Sequence, residues 1–280
     1  MKLWWLALLL TVCACSKKEP APVERTEPWL ANPPDATTAL RAKFVVTDRC
    51  EANLLLKAKE GSLRGVARVC RGELDLNLSD LSDSRGTLSV DVASIEMRGD
   101  GDAGRGEEQT REAQNWLDVG ASRPEAERER LRWATFTITG ITNTSHPNAN
   151  AGRRERVEPE AEEPPSLPDD DADGAAPNPR ERRSVTMTAR GHLVLHKVRV
   201  DVEVPIRATF HYRGRATDDS TPNKVQITTR RPFLVSLAAH DIKPRDAAGV
   251  FQAQGMKLMG TTVGADARVS LSASAVLQQP

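Results

Sequence analysis

Apolar and polar residues alternate along most of this chain. The stretch ELDLNLS places Leu74, Leu76 and Leu78 on one face, and ATFTITG places Phe136 and Ile138 opposite a row of threonines. The same alternation recurs in KVRVDVEVPI, PFLVSL and RVSLSASAVL. A period of two is typical of strands with one buried face. Many such segments, separated by Gly and Asx turns, predict an all-β protein of antiparallel strands, either a sandwich or a barrel.

Two segments depart from this pattern and predict helices. Residues 107–119, EEQTREAQNWLDV, are polar except near their end. The second segment, SRPEAERERLR, begins with Ser122 and Glu125 at the spacing of a capping box, with Pro124 in the first turn. We expect both helices to be connections over one end of the sheet.

The first residues have the pattern of an export signal. Lys2 precedes an apolar run over residues 3–14, which is shorter than the about 20 residues that a membrane-spanning helix needs. The run ends in VCAC, which resembles the lipobox of bacterial lipoproteins, where the last cysteine is acylated and becomes the first residue. This resemblance implies a signal peptide over residues 1–14 and a lipid on Cys15. An ordinary secretory signal with incidental cysteines is the alternative, and a metal clip is disfavoured because no second ligand pair lies nearby.

The residues after Cys15 predict where the protein resides. In lipoproteins generally, an aspartate directly after the acylated cysteine favours retention in the inner membrane. The residue at this position here is Ser16, which is not that retention signal. We therefore expect a periplasm-facing protein anchored by its acyl chains, in the outer membrane. Residues 15–41 are rich in Pro, Ala and charge, which predicts a flexible tether.

Composition narrows the remaining possibilities. Lysine plus arginine and aspartate plus glutamate each total 39, so the formal net charge is zero. Nucleic acid is therefore not an expected partner, because that affinity depends on a basic surface. The remaining length suits one large domain or two small ones. We assign residues 42–280 to a single domain.

A long polar stretch interrupts this domain. Residues at about 143–183 contain an acidic, proline-broken centre, Glu155 to Asp173, between arginine pairs. We predict a disordered insertion that forms a solvated loop between two strands. A binding segment for a basic partner is the alternative.

The two cysteines of the domain predict a disulfide. Exported proteins fold in an oxidising compartment, where paired cysteines usually bridge. Cys50 and Cys70 flank a turn signal at Gly61, and a hairpin about Glu60 would place them opposite each other, near the spacing that a bridge requires. Two buried free thiols are the alternative. We expect the bridge to stabilise the fold rather than to do redox chemistry, because no C-x-x-C motif accompanies it.

No set of residues indicates catalysis. GDGDAG matches G-x-G-x-x-G literally, but Asp100 and Asp102 would repel a pyrophosphate, and the strands have antiparallel character. His192 and His196 would share a face of a strand, but no third metal ligand is fixed. His240 has no nucleophile-elbow serine to accompany it. We predict no enzyme activity, no metal and no cofactor, unless a bound lipid is counted as one.

Three landmarks in a fixed order resemble a known family. NWLDV (Asn115 to Val119) precedes ATFTITGI (Ala134 to Ile141), and ARGHLVLHKVRVDVEVPI (Ala189 to Ile206) follows. In this order they resemble the YceI-like family of periplasmic, lipocalin-like proteins that bind polyisoprenoids. The resemblance runs from about Phe44 to Leu277. It implies an eight-stranded antiparallel lipocalin-like barrel with a helix over one end.

An eight-stranded barrel has room for its own side chains or for one slender ligand. Ala273 and Ala275 on the last strand leave little bulk inside. The implied ligand is a polyisoprenoid or a fatty chain, which apolar contacts alone can hold, so no sequence motif is expected. The alternative is an interaction or scaffolding lipoprotein whose barrel is filled by side chains. The predicted lining residues share the apolar faces of alternating strands; they are Phe136, Ile138, Leu193, Leu195, Val202, Val204 and Leu237.

Overall fold

The alternating segments form thirteen strands in the part of the chain that the structure describes. This structure is a computed structural model, and it describes residues 40–59, 61–98, 103–155, 180–246, 248–251, 257–258 and 261–278. The strands, in chain order, are β1 (Arg41–Ala58), β2 (Gly61–Ala67), β3 (Cys70–Asn77), β4 (Arg85–Asp91), β5 (Glu96–Arg98), β6 (Trp133–Thr142), β7 (Arg153–Glu155), β8 (Glu181–Leu195), β9 (Val198–Tyr212), β10 (Lys224–Thr229), β11 (Phe233–Ser236), β12 (Lys257–Leu258) and β13 (Thr261–Leu277).

Eight of these strands close into a ring. The order β1, β3, β4, β6, β8, β9, β10 and β13 is continuous, and the pairing of β13 with β1 closes it. Every pairing in the ring is antiparallel. The predicted eight-stranded antiparallel barrel is therefore confirmed. The other strands extend its edges, since β2 pairs with β1 and β5, β7 pairs with β8, and β11 and β12 pair with β13.

Strand register places the apolar faces inside the ring. Phe136 of β6 lies opposite Leu88 of β4 on one side and Leu193 of β8 on the other. Phe44 of β1 lies opposite Leu74 of β3. Side chains alternate between the two faces of a strand, so residues two positions away from these on the same strand also face the inside of the ring.

Two helices lie in the connection between β5 and β6. Helix α1 spans Ala103–Trp116 and helix α2 spans Glu125–Leu131, so both were predicted, although α1 begins and ends earlier than expected. The capping box was wrong. Pro124 takes the N-cap position without a side-chain cap, and the hydroxyl of Ser122 instead donates to Asn115 Oδ1 at 2.9 Å.

The structure contains the predicted disulfide between Cys50 and Cys70, with Cα atoms 6.0 Å apart. The hairpin argument behind it was wrong in detail. The β1–β2 hairpin pairs Ala58 with Gly61 and ends at Ala67, so Cys70 lies on the next strand, β3. The bridge therefore joins two strands of the ring rather than the two arms of one hairpin.

Part of the predicted insertion is ordered. Residues 143–155 are described and include β7, which pairs with β8, and Ala149 and Asn150 are buried. Residues 156–179, which include all of the acidic centre except Glu155, lie outside the described residues. So do Cys15, the signal peptide and nearly all of the predicted tether, which ends where β1 begins at Arg41.

No helix in the described ranges is long and apolar enough to cross a membrane.

Candidate functional site

A cavity of about 200 Å³ lies inside the ring. All eight ring strands and helix α1 contribute to its wall. Of the residues that line it, only Asn53, Thr229 and Ser274 carry polar side chains, and none carries a charge. The wall of the cavity is therefore almost wholly apolar and uncharged.

All seven residues predicted from the sequence line this cavity. Ile138, Val204 and Leu237 are among the buried ones, while Phe136 and Val202 are partly buried and pack against the core. The prediction rested on alternation, which gives the apolar side of a strand, together with the family resemblance of some strands. That these residues bind a ligand stays a prediction.

Four of the lining residues that were missed lie outside the alternating stretches. Trp116 and Leu117 come from α1 and the residue after it, Ile242 from the connection after β11, and Leu258 from β12. The sequence signal for Trp116 was its place in NWLDV, at the apolar end of an otherwise polar helix. No comparable signal marks Ile242 or Leu258.

Small residues on β13 make the space. Ala267, Ala273 and Ala275 are buried and line the cavity. Larger side chains at these positions would extend into the present volume. Ala273 and Ala275, the two small residues that the sequence analysis singled out on the last strand, thus belong to the cavity wall.

Bulky side chains close the end of the ring opposite α1. Phe44, Phe210 and Tyr212 are buried there and do not line the cavity. The Tyr212 hydroxyl donates to Asn150 Oδ1, and Asn150 Nδ2 donates to the Asp218 carbonyl at 2.9 Å. Burial raises the pKa of Tyr212 well above its usual value, so the phenol stays protonated and keeps its donor.

A polar clamp holds α1 against the other end. It consists of Asp118, Arg123, His196 and Arg245. The Asp118 carboxylate accepts hydrogen bonds from Arg123 Nε at 2.9 Å and from His196 Nε2 at 2.9 Å. It also forms an ion pair with Arg245 Nε at 3.1 Å. The clamp therefore joins three parts of the chain: the segment after α1, the β8–β9 turn and the connection between β11 and β12.

Neighbouring contacts reinforce the clamp. Trp116 Nε1 donates to the Arg245 carbonyl at 2.7 Å, and Asn115 Nδ2 donates to the Asp246 carbonyl at 3.0 Å. Since Trp116 also lines the cavity, these bonds fix the position of the cavity wall at this end.

The clamp lowers the pKa of Asp118. Burial by itself would raise that pKa, but the hydrogen bonds from His196 and Arg123 and the charges of Arg245 and Arg123 outweigh burial and hold it below its usual value. Asp118 is thus a carboxylate at neutral pH, and the clamp is fully formed there.

The histidines that spacing placed together do not share a site. His192 lies within β8, whereas His196 lies in the two-residue β8–β9 turn, where His196 and Lys197 both have positive φ. Such a turn matches the twist of a hairpin but strains residues other than glycine. The ring of His196 is held there by Asp118 and the His240 carbonyl. Among the described residues, no group of three or more His, Cys, Asp or Glu could hold a metal ion.

No family model matches the chain, and no curated protein matches it. Several solved structures are similar to it, and two of them are described here. One is the polyisoprenoid-binding domain from Saccharophagus degradans implicated in plant cell wall breakdown, with 13% identity and a TM-score of 0.43, covering 85% of this chain and 99% of that one. The other is BcnA from Burkholderia cenocepacia, with 11% identity and a TM-score of 0.43, covering 81% of this chain and 96% of that one. The description of the eight-stranded ring and its cavity comes from the strand pairings of this chain and not from these similarities.

Proposed function

We propose that this chain is a binding protein that holds one long apolar chain inside its barrel. The observation that carries the proposal is the uncharged cavity enclosed by the eight-stranded ring. Apolar cavities of roughly 150 Å³ bind small apolar molecules, so a cavity of about 200 Å³ with an almost wholly apolar wall suits an apolar guest. Burial then contributes roughly 25 cal/mol per Å² of apolar surface.

The size of the cavity favours a slender guest. It is smaller than the about 300–1,000 Å³ of sites for drug-sized ligands, so a bulky ring system does not fit without repacking. An isoprenoid or fatty chain can fill it with one segment. The rest of such a chain would extend between the side chains at the α1 end, because the opposite end is closed by Phe44, Phe210 and Tyr212.

A substitution that fills the cavity tests this proposal. Ile138 is buried and lines the cavity, whereas Thr139, the next residue on β6, is exposed. We expect Ile138→Trp to abolish uptake of a fluorescent fatty-acid analogue by the delipidated protein and to leave its melting temperature nearly unchanged. Thr139→Trp is the matched control and should bind as the wild type does.

A packed core would respond in the opposite way. The Ile138→Trp tryptophan would then overpack the interior and cost about 1–3 kcal/mol of stability. A destabilised variant that still binds the analogue normally would refute the site.

We also propose that the protein faces the periplasm from the outer membrane, anchored through acyl chains on Cys15. The support is the VCAC stretch and the following Ser16. Two acyl signals are needed for stable attachment, and lipoprotein processing supplies them on one cysteine. Cys15→Ser should remove the protein from the membrane pellet or leave it unprocessed, while Cys13→Ser should not. Equal behaviour of the two variants would exclude the lipobox.

A further inference from the structure

One polar side chain on the inner face of α1 has an unused hydrogen-bond acceptor. Gln109 is 4% exposed, and its Oε1 has no hydrogen-bond partner among the described residues. It lies four residues before Ala113 and seven before Trp116, so the three share one helix face. Ala113 and Trp116 line the cavity. At about 1.5 Å per residue, Gln109 therefore lies one helical turn beyond the cavity wall.

An unpaired buried acceptor is costly. Leaving such a group without a partner costs about 1–3 kcal/mol, and an apolar residue at position 109 would avoid this cost. Other polar side chains of α1 do have protein partners. Gln114 Nε2 donates to the Ala93 carbonyl at 3.0 Å, and the Thr110 hydroxyl donates to the Gly106 carbonyl and accepts from the Met97 amide. Glu112, also buried, has its own interaction. Gln109 Oε1 is thus set apart from its neighbours on the helix.

The polar groups on the cavity wall do not compete for this role. Asn53 Nδ2 donates to Glu51 Oε1 at 2.7 Å, and Thr229 Oγ1 accepts from the Leu271 amide at 3.1 Å. Ser274 lies in the part of β13 that pairs with Gln226 of β10, away from α1.

We propose that Gln109 Oε1 accepts a hydrogen bond from the polar head of the bound lipid. This inference rests on the proposed function and specifies its ligand. The ligand is then a long apolar chain that ends in a hydrogen-bond donor, such as an alcohol, a protonated acid or an amide. Its tail fills the apolar cavity, and its head lies at the α1 end beside Gln109.

A matched pair of ligands tests the inference. The probes are 1-hexadecanol and its methyl ether, which keeps the oxygen and removes the donor. Dissociation constants are measured with the delipidated full-length protein by displacement of a fluorescent fatty-acid analogue. One neutral hydrogen bond is worth about 0.5–1.5 kcal/mol, so the wild type should bind the alcohol roughly 2- to 12-fold more tightly than the ether.

Substitution of Gln109 should remove this preference alone. In Gln109→Met the ratio of the two constants should fall to about one, while the ether binds as tightly as it does to the wild type. The empty variant should melt no lower than the wild type, since an unpaired buried acceptor has been removed. Gln109→Leu is a second variant with the same expectation.

Gln114→Met is the matched control, with the same change on the same helix. It removes a bond to Ala93, so it should lower the melting temperature and keep the preference for the alcohol. Equal binding of the two probes by the wild type, or a preserved preference in both Gln109 variants, would overturn the inference while leaving lipid binding intact. Failure of the wild type to bind either probe would overturn the proposed function, and this inference with it.

Discussion

At the scale of single residues, Asp118 has the largest structural role that the sequence did not reveal. Its pairing with His196 joins residues 78 positions apart, and no periodicity connects a segment after a helix to a hairpin turn. The inward residues of the strands were predictable because a local period fixes their direction. Asp118 was not, because its function depends on how distant segments meet. Both Asp118 and His196 do lie in the stretches that carry the family resemblance, and this was the available signal.

The clamp predicts a pH-dependent stability. Folding lowers the pKa of Asp118 from its unfolded value of 3.8. The ionised Asp118 therefore stabilises the folded protein at pH values above 3.8, and this stabilisation is lost as the pH falls through the lower pKa of the folded state. Asp118→Asn should destabilise the protein by about 2 kcal/mol at pH 7, as expected for hydrogen bonds to a charged group. Denaturant unfolding at several pH values would measure the difference from the wild type, which should shrink below pH 3.8.

Asp241→Asn is the control for this experiment. Asp241 also has positive φ, but it is an exposed residue whose carboxylate pairs with Lys243. Exposed pairs of this kind contribute about 0–1 kcal/mol, so this variant should unfold nearly as the wild type does. Equal destabilisation by both substitutions would contradict the role assigned to the clamp.

At the scale of elements, both helices and several of the described strands were predictable, but the contacts between elements were less so. Alternation located β3, β6, β9, β11 and β13, since each buries one face. The disulfide partners were right although the hairpin register was not, because Cys70 belongs to β3. The capping box failed because Ser122 instead bonds Asn115 of α1. Such choices depend on tertiary contacts, which local propensity does not contain.

Glycine marks a close approach between two strands of the ring. A Cβ atom added at Gly191 of β8 would overlap the Thr137 carbonyl of β6. A Cβ atom added at Gly140 of β6 would have no atom within 4 Å apart from its own residue and its chain neighbours. Gly191→Ala should therefore destabilise the protein by about 1–3 kcal/mol, the usual cost of overpacking, and Gly140→Ala should not. Thermal and denaturant melts of the two variants would check this. A neutral Gly191→Ala would show that β6 and β8 can separate without cost.

At the scale of the whole molecule, closure of the ring is the feature that turns strands into a site. Alternation alone left a sandwich and a barrel open, because it does not state which strands pair. The pairing of β1 with β13, the first and last strands along the chain, closes the ring. Only the family resemblance implied this closure. The cavity could be anticipated in kind from the small residues of β13, but its volume depends on how all eight strands pack.

The central claim is that the closed ring holds one apolar chain, and its most direct test is extraction of the purified full-length protein. The protein is purified from its native host in mild detergent and extracted with organic solvent. The extract is analysed by mass spectrometry, with protein quantified in parallel. The account predicts about one isoprenoid or fatty chain per wild-type protein, in addition to any acyl groups on Cys15. An equal amount of the Ile138→Trp variant should yield no such chain. Repeated extraction without such a lipid, or equal amounts from the wild type and Ile138→Trp, would contradict it.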